Sequence, residues 1–395
     1  MVNLNKKLLG SAVCLALSQA MAVGSVQAQD SDNANRLDLE EVIVTGTKRA
    51  VAQQDLSVAV TTVTSKQLEN TFQNDVTALS ELAPNVNLTP QNGFNAIAGG
   101  MRGTGFISIL VTKDASVGIT VDEFAFNHVQ SQFVEMFDME QVEIFRGPQG
   151  TLFGKNTTGG AISFTTKKPV LGEFFGEIEG DYGQFDSNDS DFTKLKFSLN
   201  VPLGDTLAAR LAVIQDESDG YYTNDKPAGG EYQSLGCPNE QYPDNAECND
   251  LARSKFPDVG RGEDIGGKDV LAAKLKFKWQ PNDFYNADLI FEYVKDRGDT
   301  VATSNETPLA SQNGGEGYLW PIAGFPGIGN GDPFSTGQSY TDTRAVDIPG
   351  GHEIDAEGIY LNQTFSFDQY EVKWILGKRE QDEILASTYT GEAYT

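Results

Sequence analysis

The chain has 395 residues, 39% of them hydrophobic, and its 56 acidic residues outnumber the 29 basic ones to give a formal net charge of −27. This length and apolar content suffice for the cores of two or three domains, whereas the acidic excess argues against a nucleic-acid-binding surface, which needs clustered Lys and Arg. With only two histidines, His128 and His352, the chain also has little capacity for histidine-based metal or triad chemistry.

Residues 1–28 have the pattern of a secretory signal. Two lysines precede an apolar run that ends near Val23, and the small-residue sequence "VQA" precedes Gln29. The run is short for a transmembrane anchor, which is the alternative interpretation. The pattern predicts export, cleavage after Ala28 and a mature N-terminus at Gln29.

Residues 55–169 have the pattern of a compact α+β domain. The segment "TSKQLENTFQNDVTALSELAPNV" places apolar residues at helical spacing from Leu68 to Leu82, and Pro84 would end that helix. Around it lie short β-like runs, namely "SVAVTTV", "SVGITVDEFAF", "QVEIF" and "AISFTT".

A glycine-rich stretch, "RGPQGTLFGKNTTGG", joins the last two β-like runs. Its Gly-Lys pair suggests a nucleotide loop, but a phosphate loop has four residues between its glycines and Ser or Thr after the lysine. Here three residues separate Gly150 from Gly154, and Asn156 follows Lys155. Because the nucleophile motif "GxSxG" and the zinc motif "HExxH" are also absent from the sequence, we predict a structural role, with no catalytic residue, metal or cofactor.

Residues 170–395 contain three strand pairs in which apolar and polar residues alternate. In "KLKFKW" (274–279) the lysines lie on one face and the apolar residues on the other. The three pairs are "FTKLKFSLNVPLGDTLAARLAVIQ" (192–215), "AKLKFKWQPNDFYNADLIFEYV" (273–294) and "IYLNQTFSFDQYEVKWIL" (359–376).

Short turns join the strands within each pair, and long polar connections, at about 219–268 and 296–351, separate the pairs. Short turns on one side and long loops on the other are typical of an outer-membrane β-barrel. A soluble β-sandwich is the alternative, although it rarely contains loops of this length. Cys237 and Cys248 flank a polar segment in the first connection, so in an exported protein we predict a disulfide, with free thiols as the alternative.

The glycine-rich stretch and its surroundings resemble the TonB-dependent outer-membrane receptors. In that family a plug domain ends in a strand, an Arg-Gly-Pro turn, a "GTLYG"-type segment and "GGxIxxxTKKP" before the barrel, and this chain has "VEIFRGPQGTLFGKNTTGGAISFTTKKP". "MRGTG" (101–105) is similar to the plug motif "RGxG", and "VGITVDEF" to the strand "VxVDG", with Glu123 where glycine is usual. "EEVIVTGTKR" (40–49) resembles the TonB box, the segment that binds the energy-coupling protein TonB.

The resemblance implies an α+β plug domain followed by antiparallel transmembrane β-barrel strands. Residues 29–54 would be a periplasmic segment with the TonB box, 55–169 the plug and 170–395 the first part of the barrel. About seven strands are predicted, against about 22 in the family's barrels, so we expect an incomplete barrel. The TonB-binding residues would be Glu41, Val42, Ile43, Val44 and Thr45. The plug-motif residues would be Arg102, Gly103, Arg146, Gly147, Pro148, Gly150, Gly154, Gly159 and Gly160. Both arginines would pair with carboxylates of the lumen, with solvated surface arginines as the alternative.

The resemblance also implies a function. The chain would belong to a non-enzymatic active transporter in the outer membrane of a Gram-negative bacterium, where it would contact lipid and the inner-membrane protein TonB. Its cargo would be a scarce nutrient, most commonly an iron–siderophore complex, with vitamin B12, haem or an oligosaccharide as alternatives. A non-transporting surface binding protein on the same scaffold is a further alternative, and the residues that contact cargo are not predicted.

Overall fold

The structure is a computed structural model that describes residues 43–44, 46, 51–69, 75–91, 94–106, 115–126, 136–185, 190–220, 222–224, 264–299, 343–344 and 351–386. The predicted signal, His128 and the two cysteines of the predicted disulfide lie outside the described residues, so these remain predictions. Among the described residues, no helix has the length and apolar content required to cross a membrane.

The N-terminal half of the described chain is an α+β domain with three small sheets. Its strands are β1 (Ile43–Val44), β2 (Val51–Ala52), β3 (Val60–Thr64), β4 (Val86–Gln91), β5 (Phe94–Met101), β6 (Thr104–Phe106), β7 (Val117–Val121), β8 (Phe124–Phe126), β9 (Met139–Arg146) and β10 (Gly160–Thr166). The largest sheet has the order β3–β9–β10–β7–β8, in which β10 and β7 are parallel and the other neighbours antiparallel. Strands β1 and β2 pair with each other, and β4, β5 and β6 form a third sheet.

The helices of this domain are short. Ser65–Glu69, Leu79–Leu82 and Gly150–Phe153 are α-helical, and Gln53–Asp55 and Val76–Ala78 form 3₁₀ turns.

The continuous helix predicted from Leu68 to Leu82 is wrong, because Asp75 has extended backbone with φ −108° and ψ 169°. Its carboxylate accepts a hydrogen bond from the Thr77 N–H and so caps a new helical segment. The predicted end before Pro84 is confirmed, since Leu82 is the last helical residue.

Strands β9 and β10 lie at the centre of the domain core. Val142, Ile144, Ile162 and Phe164 have no exposed surface and pack in one cluster with residues of the helix around Leu79. Because both faces of β10 are buried, with Ile162 and Phe164 in one apolar cluster and Ala161 in another, its run "AISF" is apolar almost throughout rather than alternating.

The C-terminal half is an antiparallel sheet of seven strands that follow one another in chain order. Its strands are β11 (Phe175–Gln184), β12 (Asp191–Pro202), β13 (Leu207–Ser218), β16 (Lys268–Trp279), β17 (Tyr285–Asp296), β19 (Gly351–Ser366) and β20 (Glu371–Ala386). The short strands β14 (Tyr222–Asn224), β15 (Asp264–Ile265) and β18 (Thr343–Arg344) form a separate sheet. The seven-stranded sheet is not closed within the described chain, and β11 and β20 are its edges.

The large sheet has one charged face that is covered and one apolar face that is exposed. Lys274, Lys276 and Arg210 are each 3% exposed, whereas Trp279 and Phe291 on the other face are 47% and 39% exposed. A soluble sandwich would bury its apolar face. The apolar-out, charged-in arrangement is that of membrane β-barrel strands, as predicted from the alternation.

The sheet has two different ends. At the short-turn end, where β17 begins and β19 ends, aromatic rings gather: the Phe284 and Phe367 ring centroids are 5.1 Å apart, and those of Tyr285 and Phe365 are 4.9 Å apart. The two long connections, 219–267 and 297–350, leave from the opposite end, here called the long-loop end. The predicted asymmetry between short turns and long connections is therefore present.

Candidate functional site

The glycine-rich stretch forms a tight bend between β9 and β10. Gly147 and Gly154 have φ of +100° and +81°, in the left-handed region that glycine adopts without strain. A Cβ added to Gly160 would lie 2.5 Å from the Phe145 carbonyl oxygen, so no larger residue fits against β9 there. Gly150 differs, because a Cβ there would meet nothing within 4 Å. The predicted structural role is consistent with this geometry.

The structure brings several of the predicted plug-motif residues together. Arg102 and Gly103, with φ of +53° and +77°, form the turn between β5 and β6. The Gly147 N–H donates to the Gly159 carbonyl at 2.9 Å, and Arg102 Nη1 is 3.4 Å from a Cβ placed on Gly147. The three motif segments are thus neighbours in space.

The predicted pairing of the two motif arginines with lumen carboxylates stays a prediction. Arg146 Nη1 lies 3.5 Å from the Pro84 carbonyl oxygen, and neither Arg146 nor Arg102 forms an ion pair with a described carboxylate. Within the described chain the plug contacts the sheet through acidic residues of its own, as the following contacts show.

Part of the predicted TonB box is docked on the plug. Ile43 and Val44 of β1 pair with Ala52 and Val51, and Val44 has no exposed surface because it packs in a cluster with Phe145 of β9. Ile43, on the opposite face, is 48% exposed. The remaining box residues, Glu41, Val42 and Thr45, lie outside the described residues.

A buried carboxylate holds the end of this docked segment. The Gly46 N–H donates to Glu143 Oε2 at 2.5 Å, and Gln141 Nε2 donates to Glu143 Oε1 at 2.8 Å. Glu143 has no exposed surface, so the hydrogen bond from Gly46 forms in a site shielded from water. The sequence did not predict this role, because Glu143 lies 97 residues from Gly46.

The strongest contact between plug and sheet is a buried ion pair. Arg210 of β13 donates from Nη2 to Asp138 Oδ1 at 2.5 Å and from Nε to Oδ2 at 3.0 Å. The two side chains are 3% and 5% exposed, so the pair is almost fully desolvated. Two parallel N–H donors matched to two carboxylate oxygens fix orientation as well as distance.

The turn between β7 and β8 makes two further ion pairs with the sheet. Lys276 Nζ lies 3.9 Å from Asp122 Oδ2 and donates to the Lys167 carbonyl at 2.8 Å. Glu123 forms an ion pair with Lys373 of β20, and Asn362 Nδ2 donates to the Asp122 carbonyl at 3.0 Å. Three strands of the sheet, β16, β19 and β20, therefore contact this one turn of the plug.

The acidic residues at these contacts share an unusual backbone. Asp122, Glu123 and Asp138 all have positive φ, of +48°, +70° and +55°. Non-glycine residues in this region are strained by about 1–2 kcal/mol. Glu123 stands where the family usually has glycine, and its ion pair with the sheet explains why a charged side chain is placed at a strained position.

A small polar cavity remains between plug and sheet. Its volume is about 80 Å³, and its lining includes Asp138, Lys167, Glu179 and Lys196. Sites for small-molecule ligands usually have about 300–1,000 Å³. This cavity is therefore smaller than the usual site for a small-molecule ligand.

Comparison with known proteins agrees with this arrangement. A family profile described as "TonB-dependent Receptor Plug Domain" matches residues 52–161. The vitamin B12 transporter of Vibrio vulnificus is 26% identical over 235 residues, which cover 58% of this chain and 36% of that protein. The pesticin receptor of Yersinia pestis is 28% identical over 221 residues, which cover 55% of this chain and 30% of that protein. The chain thus spans about a third of the length of these curated relatives.

Solved structures share the fold. The ferric yersiniabactin uptake receptor of Yersinia pestis has a TM-score of 0.59 at 17% identity, covering 84% of this chain and 42% of that one. The ferripyoverdine receptor of the outer membrane of Pseudomonas aeruginosa has a TM-score of 0.56 at 13% identity, covering 93% of this chain and 41% of that one. At such identities the likeness concerns the fold alone.

Proposed function

We propose that the chain is part of a TonB-dependent active transporter that imports a scarce nutrient across the outer membrane of a Gram-negative bacterium, a proposal supported by the match of residues 52–161 to a TonB-dependent receptor plug domain. The observation that carries the proposal is the plug held against the charged face of the sheet, with the apolar face left for lipid. A soluble enzyme or binding protein would instead bury the apolar face of its sheet and expose the charged face. The predicted secretory signal at residues 1–28 supplies the export that such a location requires.

An iron–siderophore complex is the cargo we propose. The names of the matched relatives support this choice, since they include receptors for ferric siderophores, and a vitamin B12 transporter supports the second choice. The two long connections are acidic in sequence, as in "GGEYQSLGCPNEQYPDNAECND". That charge disfavours a strongly anionic complex.

The proposed energy source is TonB, bound through residues 41–45. A short β-prone strand can add to the edge of a partner's sheet, and its main-chain hydrogen bonds then provide most of the affinity. In the described structure Ile43 and Val44 pair with β2, which occupies one edge of the strand, so a partner strand would add at the other edge or displace β2. The pairing with β2 also indicates that these residues adopt the extended backbone that strand addition needs.

The test is Val44→Pro in the full-length receptor. Proline removes one N–H donor and restricts the residue before it, so we expect energised uptake to be lost while cargo binding at the cell surface persists. Val44→Ala keeps the backbone donor and should leave uptake close to wild type. The measurement is uptake and surface binding of a panel of labelled ferric siderophores and labelled vitamin B12.

The same experiment addresses the alternative, a surface binding protein that does not transport. That protein would bind one member of the panel but take up none, with or without Val44→Pro. Wild-type uptake by the Val44→Pro receptor would show that the box is misassigned.

A further inference from the structure

A cluster of titratable groups lies at the long-loop end of the sheet. It is formed by His352 at the start of β19, Asp296 at the end of β17, Asp299 just after β17 and Glu383 of β20. The connection 297–350 runs from β17 to β19, and the connection 219–267 ends at β16. The cluster therefore lies where the bases of both long connections meet.

His352 joins the two ends of the connection 297–350. Its Nε2 lies 2.7 Å from Asp296 Oδ1, and the two side chains are only 12% and 10% exposed. Its backbone N–H donates to the Gly298 carbonyl at 3.0 Å, and the Gly298 N–H donates back to Asp296 Oδ1 at 3.0 Å. Nε2 makes no hydrogen bond of good geometry, so its attraction to Asp296 depends on the charge of the ring.

Asp299 links the end of β17 to the base of the connection 219–267. Its Oδ2 accepts hydrogen bonds from the N–H groups of Gly266 and Gly267, each at 3.0 Å, and its own N–H donates to the Gly267 carbonyl at 3.0 Å. These hydrogen bonds connect the end of β17 to the chain that enters β16.

The charges that face the imidazole are mainly negative. Asp296, Asp299 and Glu383 interact with it, and Glu383 Oε1 is buried without a hydrogen-bond partner. The neighbouring cation, Arg297, donates to two carbonyls and to the Asp355 carboxylate at 2.6 Å instead. Lys268, also at this end, is 3.8 Å from Asp216 and 4.0 Å from Asp75, and Lys194 is likewise 3.8 Å from Asp216.

We propose that His352, Asp296, Asp299 and Glu383 form a proton-dependent clasp that fastens the bases of both long connections to each other. When the imidazole is protonated, its positive charge offsets three buried or half-buried carboxylates. When it is neutral, the carboxylates repel one another and the attraction to Asp296 is lost. Protonation of the imidazole therefore closes the clasp, and loss of that proton weakens it.

Asp299 makes the stability of the clasp depend on pH with the same sign. Burial raises the pKa of the Asp299 carboxyl, although its two backbone hydrogen bonds oppose the shift. A carboxyl with a raised pKa binds protons more readily in the folded state, so the folded state loses stability as the pH rises through that pKa. The clasp is independent of cargo and of TonB, and it can be tested whether or not the proposed function holds.

The test is hydrogen exchange with mass spectrometry on the full-length receptor in membrane vesicles, at about pH 5.5 and about pH 7.5, corrected for the intrinsic rates. In the wild type, peptides covering 264–270 and 296–299 should lose about tenfold of their protection as the pH rises, the size of one charge-assisted contact. Peptides covering the turn 280–284, at the opposite end of the sheet, should not change.

Three variants make the test decisive. His352→Gln should show the low protection at both pH values, and His128→Gln, at the other histidine, should behave as wild type. Asp299→Asn keeps an oxygen for Gly266 and Gly267 but removes one carboxylate charge, so it should retain more protection at the higher pH. The 280–284 peptides serve as the control for a general folding defect, which would change their exchange as well.

The outcome that overturns the proposal is a pH dependence that survives His352→Gln, or wild-type protection that does not change with pH. If His352→Gln does not fold, Asp299→Asn decides in its place: the same loss of protection as in the wild type would refute the clasp.

Discussion

The docking of the N-terminal strand makes a quantitative prediction, because adjacent residues of β1 lie on opposite faces. Val44 has no exposed surface, whereas Ile43 is 48% exposed. Val44→Ala removes two buried methyl-sized groups at about 0.8 kcal/mol each, or about 1.6 kcal/mol of docking free energy. Ile43→Ala removes a similar or larger apolar volume from a half-exposed site and lowers the β-propensity in the same way.

The measurement is hydrogen exchange of a peptide covering residues 43–52 in the full-length receptor. We expect Val44→Ala to increase the exchange rate by about tenfold, since about 1.4 kcal/mol corresponds to a factor of ten. Ile43→Ala, the matched control, should increase it by less than about threefold.

Equal effects of the two substitutions would refute the docked geometry, because burial would then make no difference. A negligible effect of both would show that β1 is already detached from the plug in the full-length receptor. The expected mild effect of Val44→Ala on uptake is compatible with weaker docking, since the N–H donors needed by a partner strand are retained.

Two further predictions concern the plug. Arg210→Ala leaves its buried carboxylate partner unpaired and should destabilise plug docking by about 3–5 kcal/mol in urea titrations of the full-length receptor. Lys196→Ala, at a more exposed ion pair, should cost at most about 1 kcal/mol. Similar losses for the two variants would contradict the burial argument. Gly160→Ala should greatly reduce the amount of folded receptor on heat-modifiability gels, because its Cβ would lie 2.5 Å from the Phe145 carbonyl oxygen, whereas Gly150→Ala should fold normally.

Local pattern was sufficient to predict most strands. The alternation of "KLKFKW" predicted two faces of different polarity for β16, and the structure buries Lys274 and Lys276 on the lysine face. A period of two assigns each residue to one of the two faces, whereas which face is covered depends on the rest of the fold. The prediction of a continuous helix from Leu68 to Leu82 was wrong because Asp75 has extended backbone and caps a new helical segment, despite the helical spacing of the apolar residues.

Long-range contacts could not be predicted in the same way. The use of Glu143 as the acceptor for Gly46 depends on two segments that are 97 residues apart. The ion pairs of Asp138 and Glu123 with the sheet likewise depend on how the plug is oriented. The resemblance implied that motif arginines pair with lumen carboxylates, which stays a prediction, whereas the plug's described ion pairs with the sheet are made by acidic residues. The signals available in hindsight are the charged residues at turns where glycine would be expected.

The order in which the sheet and the plug are connected has a consequence for assembly kinetics. Four of the six strand pairings in the large sheet are closed by short turns and two by the long connections 219–267 and 297–350, so the sheet can grow in chain order from hairpins with small loop-closure costs. Arg210 and Asp138 are 72 residues apart, whereas Asn362 and Asp122 are 240 apart. Closing the longer loop costs about 1 kcal/mol more in chain entropy. We expect the plug to be captured first at β13 and to be secured at its β7–β8 turn only after β19 has been added.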